Sequence, residues 1–427
     1  MKRQLFALCA MLLVVAGPAS VRAGENGETE HWYDRVSLGG EIRLRSESQL
    51  DYGNLTGGVV NDSFLLLRVR PHIDARPVDG LRIFIQPQFS RAFAQEESTI
   101  ANNNDAANPN NVFDLHQGFV SWEKIAGSIV TVTVGRQELA YGDERLIGAF
   151  NWSNIGRSFD AGKVRLEWEK VFVDGFASWN EKGAGNEYFG GLYSGWKIRP
   201  DMTLDTYGLV LNDNDGDGNP AITGVLLGTV GARFAGTALE DRWDYSLEAA
   251  VQFGKDKPNT HLAYAGHAAT GYTFDTGWKP RLGVEYNFAS GDDPGTAKVE
   301  RFNNLFPTNH DKYGYIDFAS WSNLHDIVAS TSIKPVKGLM MKLDYHLFLL
   351  PEPATAMFRA SGAVLRAGAA GASSLAGHEV DFLTKYTLNK WVNFLLGYSV
   401  FRGGSFFSDT GTNGTAHFLY GQATASF

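Results

Sequence analysis

The chain has 427 residues, a net charge of −9 and a single cysteine, Cys9. This acidic balance argues against a nucleic-acid-binding protein, which would carry an excess of Lys and Arg. One cysteine near the N-terminus excludes a disulfide framework and a cysteine metal site. The 48 glycines and the aromatic fraction of 13% instead fit many tight turns and rings placed at interfaces.

Residues 1–23 are predicted to form a secretion signal that is removed from the mature chain. Lys2 and Arg3 precede an apolar run at 5–16, and small residues near Ala23 supply a cleavage site. The apolar run is shorter than the ~20 residues of a membrane-spanning helix. No linker or change of composition divides the rest, so residues 24–427 are expected to form one domain.

After the signal, apolar and polar residues alternate in short segments, most clearly at 35–48, 64–76, 81–91 and 340–349. This is the period of a β-strand with one apolar and one polar face. About 18 such segments can be counted, and an even number suits a closed barrel. The sequence therefore predicts an all-β fold, a transmembrane antiparallel β-barrel in the outer membrane of a Gram-negative bacterium.

The connections between segments support this topology, because short turns and longer loops alternate along the chain. The short turns are predicted at 77–80, 124–127, 170–175, 199–201, 236–240, 274–278, 334–338 and 388–390. The outer loops are predicted at 50–61, 95–111, 137–160, 181–185, 212–220, 254–259, 290–321, 351–375 and 402–414. The loop at 351–375 carries Arg359 and Arg366 and is a candidate to cap the lumen.

The last segment, 416–427, ends in Phe427. A C-terminal aromatic residue is typical of outer-membrane proteins, where it is associated with recognition by the barrel assembly machinery. The expected partners are that machinery, outer-membrane lipid and lipopolysaccharide, with no nucleic acid.

Alternation also assigns side chains to faces. A charge facing lipid near the bilayer midplane costs ~2–4 kcal/mol, so charged residues of the first three strands are expected to face the lumen. These lumenal arginines are Arg43, Arg45, Arg68, Arg70, Arg76 and Arg82. Two interpretations stay open. The arginines form a structural lattice with lumenal carboxylates, or they form a cationic track that attracts an anionic solute.

Two loop segments carry longer motifs: GRQEL at 135–139, YGDERLIG at 141–148 and WSNIGRSFD at 152–160, then LFPTNH at 305–310 and YGYID at 313–317. With the signal and the barrel period, they resemble the alginate-export family of outer-membrane porins. The resemblance implies a monomeric 18-stranded barrel whose loops fold into or over an arginine-rich pore for a polyuronate.

Carried onto these motifs, the resemblance makes Arg136, Arg145 and Arg157 candidates for carboxylate contacts, with Trp152 and Trp321 as lumen residues. The planar guanidinium suits this role because it meets a carboxylate with two hydrogen bonds. The alternative is that the arginines tether the 137–160 loop to the wall. We favour tethering for Arg145 and a pore position for Arg136.

Asp213, Asp215 and Asp217 resemble the first half of a calcium-binding loop. Gly224 stands where that loop requires a glutamate, so at most a weak Ca²⁺ site is predicted, and no other cofactor.

No Gly-x-Ser-x-Gly or His-Glu-x-x-His motif is present, and a non-enzyme is predicted. The favoured function is passive diffusion of an anionic polysaccharide such as alginate, in the direction of export. The alternative is a general or small-solute porin; a hydrolase at the outer rim and an adhesin barrel rank third and fourth.

Overall fold

The computed structural model describes residues 32–56, 61–93, 112–182, 185–214, 224–256 and 258–427. The predicted secretion signal at 1–23 and the predicted loop at 95–111 lie outside these residues. A single domain at 24–427 stays a prediction.

Eighteen strands of the described residues pair antiparallel with their neighbours, and the last pairs with the first to close a barrel. The predicted fold class is therefore confirmed. The strands are β1 (Val36–Leu50), β2 (Asn61–Val78), β3 (Leu81–Phe93), β4 (Val112–Trp122), β5 (Val130–Gln137), β6 (Phe159–Glu167), β7 (Val171–Lys182), β8 (Gly185–Arg199), β9 (Met202–Asn214), β10 (Val225–Ala238), β11 (Trp243–Asp256), β12 (Asn259–Thr273), β13 (Arg281–Ala289), β15 (Leu324–Ile333), β16 (Leu339–Leu349), β19 (Leu375–Thr387), β20 (Val392–Gly403) and β21 (Thr415–Ser426).

Smaller elements lie in the connections. They are the 3₁₀ turns Trp32–Arg35 and Ile125–Gly127, the helices α1 (Gly53–Thr56) and α2 (Ser405–Thr410), the short strand β14 (Lys298–Val299), and the hairpin of β17 (Ala356–Phe358) with β18 (Val364–Ala367). Neither helix in the described part of the chain has the length and hydrophobicity needed to cross a membrane.

Short and long connections alternate as predicted. The C-terminus lies at the same end of the barrel as the short turns. One predicted turn is misplaced: 170–175 falls within β7, which begins at Val171, and the chain turns at 168–170 instead. The reason is that Val171 pairs with Trp196 of β8. Cross-strand pairing decides where a strand begins, and this partner is not visible in the local pattern.

Register and side-chain alternation give the wall two chemically different faces. Across β1 and β2, Ile42 lies opposite Val69 on the outer face, and Arg43 lies opposite Arg68 on the inner face. Outward residues such as Val134 and Leu192 are exposed, as expected for side chains that contact lipid.

The barrel closes through the last residue of the chain. The backbone N–H of Phe427 donates to the carbonyl oxygen of Gly40 at 3.0 Å, and the Gly40 N–H donates back at 2.8 Å. A Cβ atom on Gly40 would meet the Phe427 ring, so glycine allows this close approach at the seam. The role of Phe427 in assembly stays a prediction.

Loops of the chain fold into the lumen. Tyr313, Phe318 and Trp321, from the connection between β13 and β15, are fully buried. The Phe318 ring packs edge-on against the inward-facing Phe401 of β20, with 5.3 Å between ring centroids. The 290–323 connection therefore folds into the barrel as a plug.

Candidate functional site

Four predicted lumenal arginines form a ladder on β1 and β2: Arg43, Arg45, Arg68 and Arg70, which we call the arginine ladder. Each is buried in the lumen. The remaining two, Arg76 and Arg82, lie toward the periplasmic end and pair with Glu123 and Asp74, at 2.6 and 2.8 Å. The arginine ladder is therefore buried in the lumen, whereas Arg76 and Arg82 lie near the periplasmic end.

The donors of the ladder are directed at the 138–158 connection. Arg43 and Arg68 share two carbonyl oxygens: that of Asn151, at 2.6 and 3.0 Å, and that of Ser153, at 2.8 and 3.0 Å. Arg70 reaches the carbonyl oxygen of Ile155 at 2.5 Å. Backbone carbonyls carry partial negative charge, so a loop folded into the lumen partners the buried guanidinium groups.

Carboxylates neutralise part of the positive charge of the arginine ladder. Arg68 forms an ion pair with Glu41, and Arg45 forms one with Glu47, both at 2.6 Å. The ladder therefore combines the predicted lattice with a function that the sequence did not indicate, which is to anchor a loop. The sequence gives no local signal for this role, because Asn151 lies 83 residues after Arg68 along the chain.

The two motif segments contact each other inside the barrel. The Gly148 N–H donates to the Phe306 carbonyl at 2.8 Å, and the Phe306 N–H donates to the Leu146 carbonyl at 2.9 Å. The Thr308 hydroxyl donates to the Glu144 carboxylate at 2.6 Å. The 138–158 and 290–323 connections therefore form one composite plug.

Arg145 is buried in this plug, where it pairs with Asp143 at 3.1 Å and with Glu285 of β13 at 2.9 Å. Its Nη1 also donates to the Tyr313 hydroxyl at 3.1 Å. Burial acts to lower the pKa of Arg145, but Tyr313 and the two carboxylates outweigh burial and raise the pKa above its usual value. These contacts fit the interpretation in which Arg145 tethers its loop to the barrel wall.

Arg136 lies elsewhere than predicted. It shares the outer face of β5 with the exposed Val134, and it pairs with Asp160 at 2.8 Å and Asp114 at 3.4 Å. The pore position predicted for Arg136 is therefore wrong. The rule that charges avoid lipid weakens toward the interface, where a charge costs only ~0–1 kcal/mol, and Arg136 lies near the outer end of β5.

Against the plug lies a cavity of about 550 Å³, lined on the wall side by residues from the outer halves of β1 and β2. We call it the vestibule. Four arginines and two carboxylates line it: Arg45, Arg157, Arg301, Arg359, Glu47 and Asp317. Cations therefore outnumber anions in its wall.

Two of these arginines are uncommitted, by which we mean that their guanidinium groups have no polar partner among the described residues. Within the described residues, the guanidinium groups of Arg301 and Arg359 have no hydrogen bond or ion pair; they rest against the rings of Phe358 and Phe318, at 4.2 and 5.8 Å from the ring centroids. Nη1 of Arg157 donates hydrogen bonds to the carbonyl oxygens of Gly148 and Pro307. Burial lowers the pKa of Arg157 to about 10, so it remains cationic at neutral pH.

Trp152 forms the floor of the vestibule. Its ring stacks on His310, with 3.6 Å between centroids, and the guanidinium carbon of Arg45 lies 3.8 Å from its centroid. Trp321, the other predicted lumen tryptophan, is fully buried in the plug and reaches no cavity surface. Sequence reasoning missed Arg301, although it stands four residues before the LFPTNH motif.

The predicted calcium loop stays a prediction, because Asp215 and Asp217 lie outside the described residues. Among the described residues, no group of three or more His, Cys, Asp or Glu side chains is arranged to hold a metal ion.

A closed barrel with a lipid-facing wall, a loop plug and a charged vestibule defines an outer-membrane channel protein. A family model described as alginate export matches residues 34–420, and the chain belongs to this family. The family resemblance and the outer-membrane location are thus confirmed. No curated protein matches the chain.

Solved structures with the same fold are outer-membrane proteins of low sequence identity. OccAB2 of Acinetobacter baumannii superposes with a TM-score of 0.63 at 10% identity, covering 93% of this chain and 99% of that one. OprD of Pseudomonas aeruginosa superposes with a TM-score of 0.60 at 12% identity, covering 94% and 96%. OccK11 of the same organism gives 0.59 at 11%, covering 94% and 99%. These similarities establish the fold.

Proposed function

We propose that this channel passes an anionic polysaccharide such as alginate outward by passive diffusion. The observation that carries the proposal is the vestibule, where the guanidinium groups of Arg301 and Arg359 form no ion pair or hydrogen bond among the described residues. A uronate carboxylate is a planar acceptor that a guanidinium meets with two hydrogen bonds. Both arginines are half-buried in the cavity wall, so a carboxylated ligand in the cavity can reach and pair with them.

The floor of the vestibule presents an aromatic edge beside guanidinium groups. Trp152 lies between Arg45 and His310, which cover its two ring faces and leave its edge toward the cavity, and Tyr315 also lines the cavity. The uncovered edge of the Trp152 ring offers an apolar contact, and the neighbouring guanidinium groups offer a partner for a uronate carboxylate. We therefore assign Arg45, Arg157 and Trp152 to the same binding surface as Arg301 and Arg359.

Neutralising the two uncommitted arginines tests the proposal. In Arg301→Gln/Arg359→Gln, block of single-channel current by oligouronates is expected to weaken about tenfold for each lost arginine, since a hydrogen bond to a charged group contributes ~1.5–3 kcal/mol. Neutral oligosaccharides of the same length should block both forms equally. If oligouronates fail to block the unmodified channel, the alternative of a general or small-solute porin replaces this one.

The outward position of Arg136 gives a separate prediction. Arg136→Ala removes a cation of the same kind, but from the lipid-facing side. We expect the anion-to-cation permeability ratio, measured as a reversal potential in a salt gradient, to stay unchanged. A clear shift toward cations would place Arg136 in the conduction path and contradict the outward assignment.

A further inference from the structure

A groove of about 680 Å³ runs across the outer face of the barrel, from β9 to β15. Its floor is built from small outward-facing residues in register: Ala232 lies opposite Ala249, and Ala249 lies opposite Gly266. Leu247 and Phe288 stand at its edges. Small residues next to bulky ones produce a depression in a wall that is elsewhere covered by large apolar side chains.

The charged residues on these strands do not face the groove. Arg233 pairs with Asp205 at 3.0 Å, and Glu248 accepts a hydrogen bond from Tyr207 at 2.9 Å, both within the lumen. The surface presented by the side chains along the groove is therefore apolar, which fits an acyl chain.

One end of the groove is polar. The Tyr286 hydroxyl and His325 Nδ1 are hydrogen-bonded at 2.7 Å, and the His325 ring packs on Phe288 with 4.8 Å between centroids. His325 Nε2 has no hydrogen-bond partner among the described residues. Because Nδ1 is engaged by Tyr286, Nε2 is the ring nitrogen left to donate to an external acceptor.

The polar end lies at the level of outer-leaflet headgroups. The strand from His325 to Ile333, where β15 ends, covers about 26 Å at ~3.3 Å per residue. At a strand tilt of ~40° this is about 20 Å along the barrel axis, near the upper edge of an apolar band ~25 Å tall. From His325 the groove leads through Phe288 and Gly266 toward the interior of the bilayer.

We propose that this groove is a binding site for lipid A, the phosphorylated and acylated anchor of lipopolysaccharide. A lipid A phosphate accepts a hydrogen bond from His325 Nε2, and an acyl chain lies on the floor formed by Ala232, Ala249 and Gly266. Each part of the site matches one part of the ligand. The apolar groove binds an acyl chain, and the Tyr286–His325 pair at its end binds a phosphate.

Native mass spectrometry of the barrel extracted from outer membranes into mild detergent tests the site. Ala249→Trp fills the groove and His325→Ala removes the donor, and each is expected to reduce retained lipid A about tenfold. The matched controls are Ala329→Trp, another outward alanine, and His417→Ala, whose ring makes the same contact with Tyr398 at 2.8 Å outside the groove. Both controls should retain lipid A as the unmodified chain does.

Equal retention in all variants would overturn the proposal, because it would show that lipid A binds the barrel without using the groove. A loss of dimers in Ala249→Trp, with lipid A unchanged, would also overturn it by making the groove an interface between two copies. Heat-modified migration in gels verifies that each variant is folded.

Discussion

Replacement of Arg43 and Arg68 by Met is expected to raise the single-channel conductance severalfold. These guanidinium groups hold the carbonyl oxygens of Asn151 and Ser153. Each hydrogen bond from a charged donor contributes ~1.5–3 kcal/mol, so the double variant loses much of what keeps the 138–158 connection in the lumen. Methionine keeps an unbranched apolar side chain in place of the arginine stem and removes the donors, which limits changes in wall packing.

The physical reason for a large effect is that both arginines act on the same two carbonyls. Removal of one leaves the other in place, so single variants should open the channel much less than the double variant. Planar-bilayer recording of Arg43→Met, Arg68→Met and the double variant measures this non-additivity.

Arg76→Met is the matched control, because Arg76 lies on the same strand but pairs with Glu123 at the periplasmic end. Its conductance should equal that of the unmodified channel. An unchanged conductance in a folded double variant would show that Arg45, Arg70 and the contacts to the 290–323 connection are sufficient to hold the loop.

Trp321→Ala is expected to destabilise the plug while the barrel remains closed. Trp321 is fully buried, and its ring packs edge-on against Phe302 at 5.4 Å. Truncation of a buried tryptophan costs ~3–5 kcal/mol. Backbone amides of 290–323 should therefore exchange hydrogen about a hundredfold faster or more, if they exchange by local opening.

Trp278→Ala is the control for this experiment, because Trp278 is 61% exposed in the turn between β12 and β13. Its exchange pattern in 290–323 should match that of the unmodified chain. Faster exchange across the β13 and β15 strands in Trp321→Ala would contradict the separation between plug and wall.

The sequence predicted the barrel because a strand in a membrane wall faces two solvents. Lipid and lumen impose opposite requirements on neighbouring residues, as Ile42 and Arg43 illustrate. This local requirement repeats in every strand, so the pattern fixed the fold class, the order of turns and loops, and the inward direction of the arginine ladder.

The pore position of Arg136 was predicted from the family resemblance, not from alternation, and the requirement that keeps charges inward ends at the membrane interface. Charge is tolerated on the outer face there, and Asp114 and Asp160 compensate it locally. The predicted turn at 170–175 was misplaced for a related reason, since strand ends depend on pairing with a neighbour.

What the amino-acid sequence by itself determined is the alternation along each strand, the family motifs and the set of charged residues available to the lumen. The tertiary structure decided what those charges contact. Arg43 and Arg68 became anchors because Asn151 and Ser153, from a distant loop, fold back onto them. Arg301 and Arg359 line the vestibule and contact the Phe358 and Phe318 rings, without a hydrogen bond or ion pair from their guanidinium groups among the described residues. Contacts between loops far apart in sequence depend on three-dimensional packing, and a period along the chain carries no information about them.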